Sequence, residues 1–306
     1  MKAVVLHEYG DPDKLQWEEF PDQVPGNGQV LVRVVATSVN PIDYKQRSGE
    51  AKSMFPVAFP GVIGVDVAGT VAALGTGVEG FVVGDRVMGM AQQTYAQLCV
   101  VPVAGLVKIP EGIETSDAAA LPLVTTTGYD LIESTGIQAG QTVLITGAAG
   151  NVGRSAVYTA KTRGEIVIAG VKKEQIEAAS HLGADQVVAL DDPAAVDALP
   201  MVDAVADTVS GKTATMLLAK VKEGGIFVSV LGPPPGAQND PSISTIDVQA
   251  KPDAGVLQTM TQAVLDGKLT IPIAEKLPLS QAAAAHAKSE KGGVGGKILL
   301  VTEPGT

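Results

Sequence analysis

The chain has 306 residues, of which 45% are hydrophobic and 18% charged, and a formal net charge of −11. That length allows two domains, each with its own buried core. The acidity argues against a nucleic-acid or anionic-membrane surface, which would need clustered Lys and Arg. The single cysteine, Cys99, excludes an internal disulfide and fits a reducing compartment.

Residues 1–117 carry short apolar runs broken by Gly and Pro. The N-terminal Met1-Lys-Ala-Val-Val-Leu-His reads as a strand, not a signal peptide, because its apolar run stops after four residues. Runs at 30–35, 65–71 and 86–90 follow, separated by Pro25-Gly-Asn-Gly28, Pro60-Gly61, Gly75-Thr-Gly77 and Gly84-Asp85. Many short strands at such spacing predict a barrel-like β domain.

Over residues 118–252 strand alternates with helix. A strand at Thr142–Thr146 leads into a helix over 151–163, then a strand at 166–170. A helix from about 173 to 182 would place Ile176, Ala179 and Leu182 on one face, with Gly183 as its cap. Strands at 186–190, 202–207 and 226–231, with a helix over 212–220, complete the pattern. Apolar strands separated by helices predict a parallel, doubly wound sheet of the dinucleotide-binding type. In residues 253–306, an amphipathic helix over 253–266 aligns Val256, Met260 and Val264 between caps at Asp253 and Gly267. The run Lys297–Val301 reads as a last strand, so this segment is expected to return to the N-terminal domain. No stretch approaches the roughly 18 apolar residues of a membrane span. Neither a membrane nor a nucleic-acid partner is expected, and the protein reads as cytoplasmic.

The densest signal is Thr142-Val-Leu-Ile-Thr-Gly-Ala-Ala-Gly-Asn-Val-Gly153. Gly147, Gly150 and Gly153 allow a sharp turn and a close approach of ligand to backbone. The helix that follows offers unpaired N–H groups and a positive dipole end to a phosphate. Gly150, Asn151 and Val152 are the candidate backbone donors to a pyrophosphate. Cofactor choice falls at the end of the second strand, where an acid would accept a ribose diol. Here the strand ends Ala169-Gly-Val-Lys-Lys173, and Lys172 with Lys173 favours a 2′-phosphate, hence NADP(H). A solvated helix start is the plain alternative, although the dipole mildly disfavours lysines there.

Five segments occur together and in order: Met1-Lys-Ala-Val-Val-Leu-His-Glu-Tyr-Gly, Ser38-Val-Asn-Pro-Ile-Asp-Tyr-Lys45, Gly64-Val-Asp-Val-Ala-Gly-Thr-Val71, Gly84-Asp-Arg-Val87 and Gly147-Ala-Ala-Gly-Asn-Val-Gly153. In combination they resemble the zinc-independent quinone oxidoreductase and alkenal/enone reductase branch of the medium-chain dehydrogenase/reductase superfamily. The resemblance covers nearly the whole chain. It implies a GroES-like β-barrel catalytic domain, a Rossmann domain, a cofactor cleft between them, and homodimers commonly built through the Rossmann sheets. Zinc alcohol dehydrogenases place Cys where residues 38–40 lie and Gly-His-Glu where Gly64-Val65-Asp66 lies, and a catalytic zinc needs three such ligands. One cysteine cannot supply a four-cysteine lobe, and His7, His181 and His286 read as scattered surface residues. No zinc is therefore expected. No tyrosine has Lys four residues on, which excludes the short-chain dehydrogenase pattern.

The resemblance also implies site residues. Asn40 matches an Asn near the nicotinamide ribose and carboxamide. Lys45 stands where a sub-branch has Lys and could bind the ribose or assist proton delivery, though a solvated loop lysine fits as well. Tyr44 is a second donor candidate, and Asp43 reads as an anchor of the loop through backbone hydrogen bonds. Thr127, in Pro122-Leu-Val-Thr-Thr-Thr-Gly-Tyr129, matches a Thr that approaches the nicotinamide and phosphates. Leu231 and Gly232 should border the nicotinamide, and Lys297 matches a C-terminal Gly-Lys close to the cofactor. The implied reaction is hydride delivery to a small quinone or an α,β-unsaturated carbonyl, with the cofactor carrying the difficult chemistry. An enoyl-thioester reductase and a non-catalytic, crystallin-like NADPH-binding protein are the alternatives. The acceptor's pocket is expected from loops around 44–58, 90–95 and 233–248.

Overall fold

The computed structural model describes residues 1–302, so the last four residues of the 253–306 segment lie outside it. In chain order the first elements are β1 (Lys2–Leu6), β2 (Leu15–Glu19), β3 (Gln29–Ser38), α1 (Pro41–Ser48), β4 (Gly61–Val62) and β5 (Asp66–Leu74). Then come β6 (Arg86–Met90), β7 (Leu98–Pro102), β8 (Leu106–Lys108), α2 (Thr115–Ala118) and α3 (Pro122–Glu133). The alternating part holds β9 (Thr142–Thr146), α4 (Asn151–Thr162), β10 (Ile166–Val171), α5 (Ile176–Ser180), β11 (Gln186–Ala189), α6 (Pro193–Asp197), β12 (Val202–Asp207), α7 (Gly211–Leu218), β13 (Val221–Ser229) and β14 (Ser244–Asp247). The chain closes with α8 (Ala254–Leu265), β15 (Ile273–Pro278), α9 (Ala282–Lys291) and β16 (Lys297–Val301). The described residues divide into two compact units, one of residues 1–123, 252–265 and 271–302, the other of 124–251 and 266–270.

In the first unit seven strands run in the order β15-β16-β3-β5-β6-β8, with β7 pairing β3 beside this path. Val30, Val32 and Val34 are buried while Arg33 between them is exposed, the alternation of a strand with one face on a core. They pack with Val67, Val71, Val87, Cys99 and Val101. At the end of β3 the alternation stops and Thr37 and Ser38 are both buried, where β16 pairs antiparallel with them through Leu300 and Leu299.

The second unit is a six-stranded sheet ordered β11-β10-β9-β12-β13-β14, and every pairing in it is parallel. Central strand β9 feeds two cores from alternate residues. Val143 and Ile145 pack with Ala156, Val157 and Ala160 of α4, while Leu144 packs with Ala214 and Leu217 of α7. A strand covered on both faces must be apolar at successive positions, which is why β9 reads as an unbroken Val-Leu-Ile run.

Several elements depart from the sequence reading. Residues 173–175 form a 3-10 turn, so α5 starts late and is short; Ala179 is buried but Ile176 is exposed. On α8 the buried face is Leu257, Met260 and Thr261, with Val256 only half-buried, while Asp253 caps the helix through Val256 N–H at 2.9 Å. Strand β14 was not foreseen because all four of its residues are exposed and leave no apolar pattern. Residues 41–48, read as a loop, form α1, where Pro41 follows the N-cap Asn40. Pro at the first helical position after an Asn is a helix-start signal.

Close packing of α4 on its preceding turn depends on Gly153: a Cβ there would lie 2.2 Å from Gly147 O and 2.6 Å from Ala148 Cα. Helix propensity alone favours Ala by about 1 kcal/mol, but this overlap outweighs it. Gly153→Ala is expected to lower stability by roughly 1–3 kcal/mol, read from the urea midpoint; a gain in stability would show that the turn yields freely.

Candidate active site

In a doubly wound sheet, ligands bind beyond the carboxyl ends of the strands where the strand order reverses. Here the reversal lies between β9 and β12. Because the strands are parallel, the segments after β9, β10, β12 and β13 leave the same edge of the sheet. They hold residues 147–153, 172–173, 208–210 and 231–232, so the second unit brings its candidate cofactor residues to one edge.

Gly147 has φ +60°, and a Cβ on it would meet Thr208 Oγ1 at 2.4 Å. The Gly150 N–H donates to Gly147 O at 2.8 Å and closes the turn. The first bond of α4 runs from Arg154 N to Gly150 O at 2.8 Å, and no side chain caps the helix. The N–H groups of Asn151, Val152 and Gly153 therefore make no hydrogen bond among the described residues. A helix N-terminus with these open donors fits a pyrophosphate. Thr127, buried on α3, precedes Gly128, whose Cβ would lie 2.5 Å from Ser155 Cβ and 2.7 Å from Val152 O; α3 thus packs on the first turn of α4.

Lys172 and Lys173 are exposed beyond β10, and neither side chain forms an ion pair among the described residues. Backbone bonds fix their segment, Lys172 N to Gln175 Oε1 at 3.3 Å and Lys173 N to Asp191 Oδ1 at 2.8 Å. Leu231 is exposed beside Gly232, which has φ +84°. The sequence reading missed Asp207. Its buried carboxylate accepts Thr146 Oγ1 and Ser229 Oγ, each at 2.8 Å, and the N–H groups of Val209 and Ser210 at 3.2 Å. It therefore ties the ends of β9, β12 and β13 together at the reversal point.

In the first unit the centre is Asp66, also missed and fully buried. Its Oδ2 accepts Ser38 Oγ at 2.5 Å, Asn40 Nδ2 at 2.8 Å and Lys297 Nζ at 3.3 Å, while Oδ1 accepts Leu123 N–H at 2.8 Å. Lys297 Nζ also donates to Asn40 Oδ1 at 2.5 Å and Val39 O at 3.4 Å. Lys297 is 3% exposed and Asn40 1%. Both side chains are turned into the unit and bonded to each other.

Asn40 links this cluster to α1. Its N–H donates to Asp43 Oδ2 at 2.8 Å, and Asp43 N–H donates back to Asn40 O at 3.0 Å, the anchoring role foreseen for Asp43. Tyr95 Oη donates to the same Asp43 oxygen at 3.1 Å and lies 3.0 Å from His286 Nε2. His286 is fully buried on α9, not at the surface as read from sequence. Among the described residues Asp43 Oδ1 and His286 Nδ1 have no hydrogen-bond partner. Burial, reinforced by the Asp66 charge, pushes Asp43 up to about 7. Burial and the nearby Arg47 push His286 down to about 3. Tyr44 is half-buried, its ring edge-on to His286 with centroids 6.5 Å apart. Burial and the carboxylates Glu290, Glu50 and Asp43 raise its phenol. Lys45 is half-buried and 3.5 Å from Glu50. Tyr44 and Lys45 are therefore the candidates in this unit whose side chains reach the surface.

A cavity of about 380 Å³ in the first unit is lined by Val65, Met90, Ala91, Gln92 and Gln93 among others. It takes in the expected 90–95 loop but nothing from 44–58 or 233–248. Gly64, with φ +106°, is what lets residues 64–66 pass Thr94 and Tyr95, for a Cβ would stand 2.4 Å from both. As a metal cage the Asp66 cluster fits poorly: its donors are a hydroxyl, an amide and one carboxylate already balanced by an ammonium. Among the described residues no group of three or more His, Cys, Asp or Glu could hold a metal ion, and no helix is long and apolar enough to cross a membrane.

Residues 26–111 match the alcohol dehydrogenase GroES-like domain family, and residues 182–300 the zinc-binding dehydrogenase family. The chain is 30% identical to the chloroplast envelope quinone oxidoreductase homolog of Arabidopsis thaliana, over 98% of each chain. It is 29% identical to the chloroplastic NADPH-dependent alkenal/one oxidoreductase of the same plant, over 99% of this chain and 80% of that one. A mycobacterial protein solved in complex with NADPH superposes with a TM-score of 0.84 at 27% identity, over 98% of this chain and 100% of that one.

The buried acid and the buried imidazole give opposite pH responses. Asp43 keeps its proton in the folded chain up to about 7 but loses it near 3.8 when exposed, so its contribution falls as pH rises through that window. His286 stays neutral down to about 3 when folded but protonates near 6.5 when exposed, so its contribution falls as pH drops below 6.5. Asp43→Asn is expected to lose more stability relative to the parent at pH 5 than at pH 8, by on the order of 1–3 kcal/mol. Urea unfolding across that range checks it, and a difference independent of pH would show that Asp43 does not titrate there.

Proposed function

We propose, because the chain belongs to the quinone and alkenal/enone oxidoreductase branch of the medium-chain dehydrogenase/reductase superfamily, that it is an NADPH-dependent, zinc-independent reductase of quinones or activated alkenes. The observation that carries this reading is the switch-point edge of the parallel sheet, where the uncapped start of α4 stands on the same edge as Lys172 and Lys173. Bound NADPH supplies the hydride.

The remaining work falls to the chain. Asn151, Val152 and Gly153 offer backbone N–H groups to the pyrophosphate, and Thr127, Leu231 and Gly232 border the same turn or edge. Lys172 and Lys173 supply positive charge for a 2′-phosphate and would gain nothing from a bare ribose diol. Hydride arriving at the β-carbon of an enone leaves negative charge on oxygen, which a nearby donor stabilises. Tyr44 and Lys45 are the side chains for that role; burial and neighbouring carboxylates raise the Tyr44 phenol, so it keeps its proton at neutral pH and acts as a hydrogen-bond donor. Zinc independence is supported by the donor set at Asp66, where Lys297 already supplies the cation. A homodimer through β14 is supported by that strand's place at the edge of the sheet with all four residues exposed. Sedimentation at micromolar concentration checks this, and a monomer that persists at the highest soluble concentration would refute it.

The reductase reading predicts NADPH oxidation with at least one member of a panel of quinones, enals and enones. Replacing Lys172 and Lys173 together by Ala should raise the KM for NADPH about tenfold or more, a loss of roughly 1.4 kcal/mol, while leaving NADH unaffected. Tight NADPH binding without turnover of any acceptor would overturn the enzyme reading. Equal use of NADH by the parent would overturn the role of the two lysines.

A further inference from the structure

We propose that Asp66 and Lys297 are positioning residues for this reaction: together they fix Asn40, and through it the start of α1, the helix that carries Tyr44 and Lys45. The inference rests on the reductase reading. It follows from counting hydrogen-bond valences in the cluster. Lys297 Nζ has three hydrogens and three acceptors, at Asn40 Oδ1, Asp66 Oδ2 and Val39 O. Nothing remains for a ligand, and the side chain is only 3% exposed.

An amide can be turned end for end with little change of shape, so its orientation must be set by neighbours. Here the ammonium can meet only the oxygen and the carboxylate only the NH₂ group. Asp66 and Lys297 therefore admit one orientation of Asn40. Ser38, which donates to Asp66 Oδ2 and accepts from Asn40 Nδ2 at 3.3 Å, closes the ring. Asn40 is also the N-cap of α1, joined to Asp43 by reciprocal bonds. An error in Asn40 is thus transmitted to the helix start, and Tyr44 and Lys45 follow within the next turn. Strand β16 brings Lys297 to the end of β3, and β5 begins at Asp66, so the sheet itself holds the two charges on either side of the amide.

The test compares Lys297→Met and Asp66→Asn with Lys297→Arg. The readouts are kcat, the KM for NADPH, the unfolding midpoint, and the nuclear magnetic resonance signal of isotope-labelled Tyr44, assigned with Tyr44→Phe. Lys297→Met and Asp66→Asn are expected to lower kcat about 30- to 100-fold while the KM for NADPH stays within about threefold. The Tyr44 signal should move while those of Tyr129 and Tyr158 in the other unit stay in place. Lys297→Arg, which keeps the charge and the donors, should restore most of both. An unchanged kcat and Tyr44 signal in Lys297→Met would overturn the proposal, as would a loss carried mainly by the KM for NADPH, which would mean direct cofactor contact. If the parent reduces no acceptor, the reductase reading fails and the Tyr44 signal alone decides the positioning role. If the single variants do not fold, the double variant Asp66→Asn/Lys297→Met removes both charges and is measured in the same way. A folded double variant with a displaced Tyr44 signal supports the proposal, and one with the parent's signal and kcat overturns it.

Discussion

The ion pair between Asp66 and Lys297 is the constraint on which the first unit turns. A carboxylate and an ammonium that are 0% and 3% exposed have lost their water and must satisfy every donor and acceptor within the protein. They do so by drawing in Ser38 from the end of β3, Asn40 from the start of α1 and the backbone of Leu123 at the start of α3. Losing one partner of such a pair costs about 3–5 kcal/mol, whereas exchanging both for apolar groups is often neutral. The pair is therefore a weak source of net stability and a strong selector of geometry. What it selects is the relation of strands β3, β5 and β16 to the helix that carries the half-buried candidates Tyr44 and Lys45.

The second unit solves a related problem with neutral donors. At the point where strand order reverses, neighbouring crossovers diverge and leave a crevice whose walls would otherwise be free to separate. Asp207 holds them by accepting from Thr146 on one strand and Ser229 on another, and by ordering the N–H groups of Val209 and Ser210. The open donors of α4 are therefore presented by a fixed edge. Ser210 has φ +58° and ψ −162°, a backbone state that suits glycine, and it is the Asp207 carboxylate that holds its N–H there.

What the sequence revealed divides along the range of the interactions involved. The glycine turn, β9 and α4 were legible because strand, turn and helix are contiguous and each is set by its own residues. Lys297 was placed near the cofactor by resemblance, and its bonds to Asn40 and Asp66, 257 and 231 residues away, leave no mark in the residues around it. His286 was read as a surface residue because its helix begins with four alanines, which give no apolar stripe to orient it. Its environment is made by Tyr95 from a distant loop. By contrast α1 carried its own signal, Asn40-Pro41 with an acid at Asp43, and was missed only because its residues are mostly polar. The glycine motif marks a turn, but which N–H groups stay open at its end depends on how the turn closes on itself, here through Gly150 N–H to Gly147 O.

Two buried carboxylates, Asp43 and Asp66, lie on either side of Asn40, and one buried cation serves them. Lys297 is bonded to Asp66 and reaches Asp43 only as a weaker, more distant charge, so one negative charge is balanced and a second would not be. Burial first, and then the Asp66 charge, makes it favourable for Asp43 to hold a proton near neutrality. A neutral Asp43 in turn suits a Tyr95 phenol and a His286 imidazole that both remain uncharged, so the path from β16 to α9 holds one ion pair followed by three neutral polar groups. A second cation beside Asp43 would stabilise its charge but would also attract the Asp66 carboxylate that orients Asn40. Keeping Asp43 protonated leaves Asp66 committed to one cation, and the Asp66–Lys297 pair gives the Asn40 amide a single orientation.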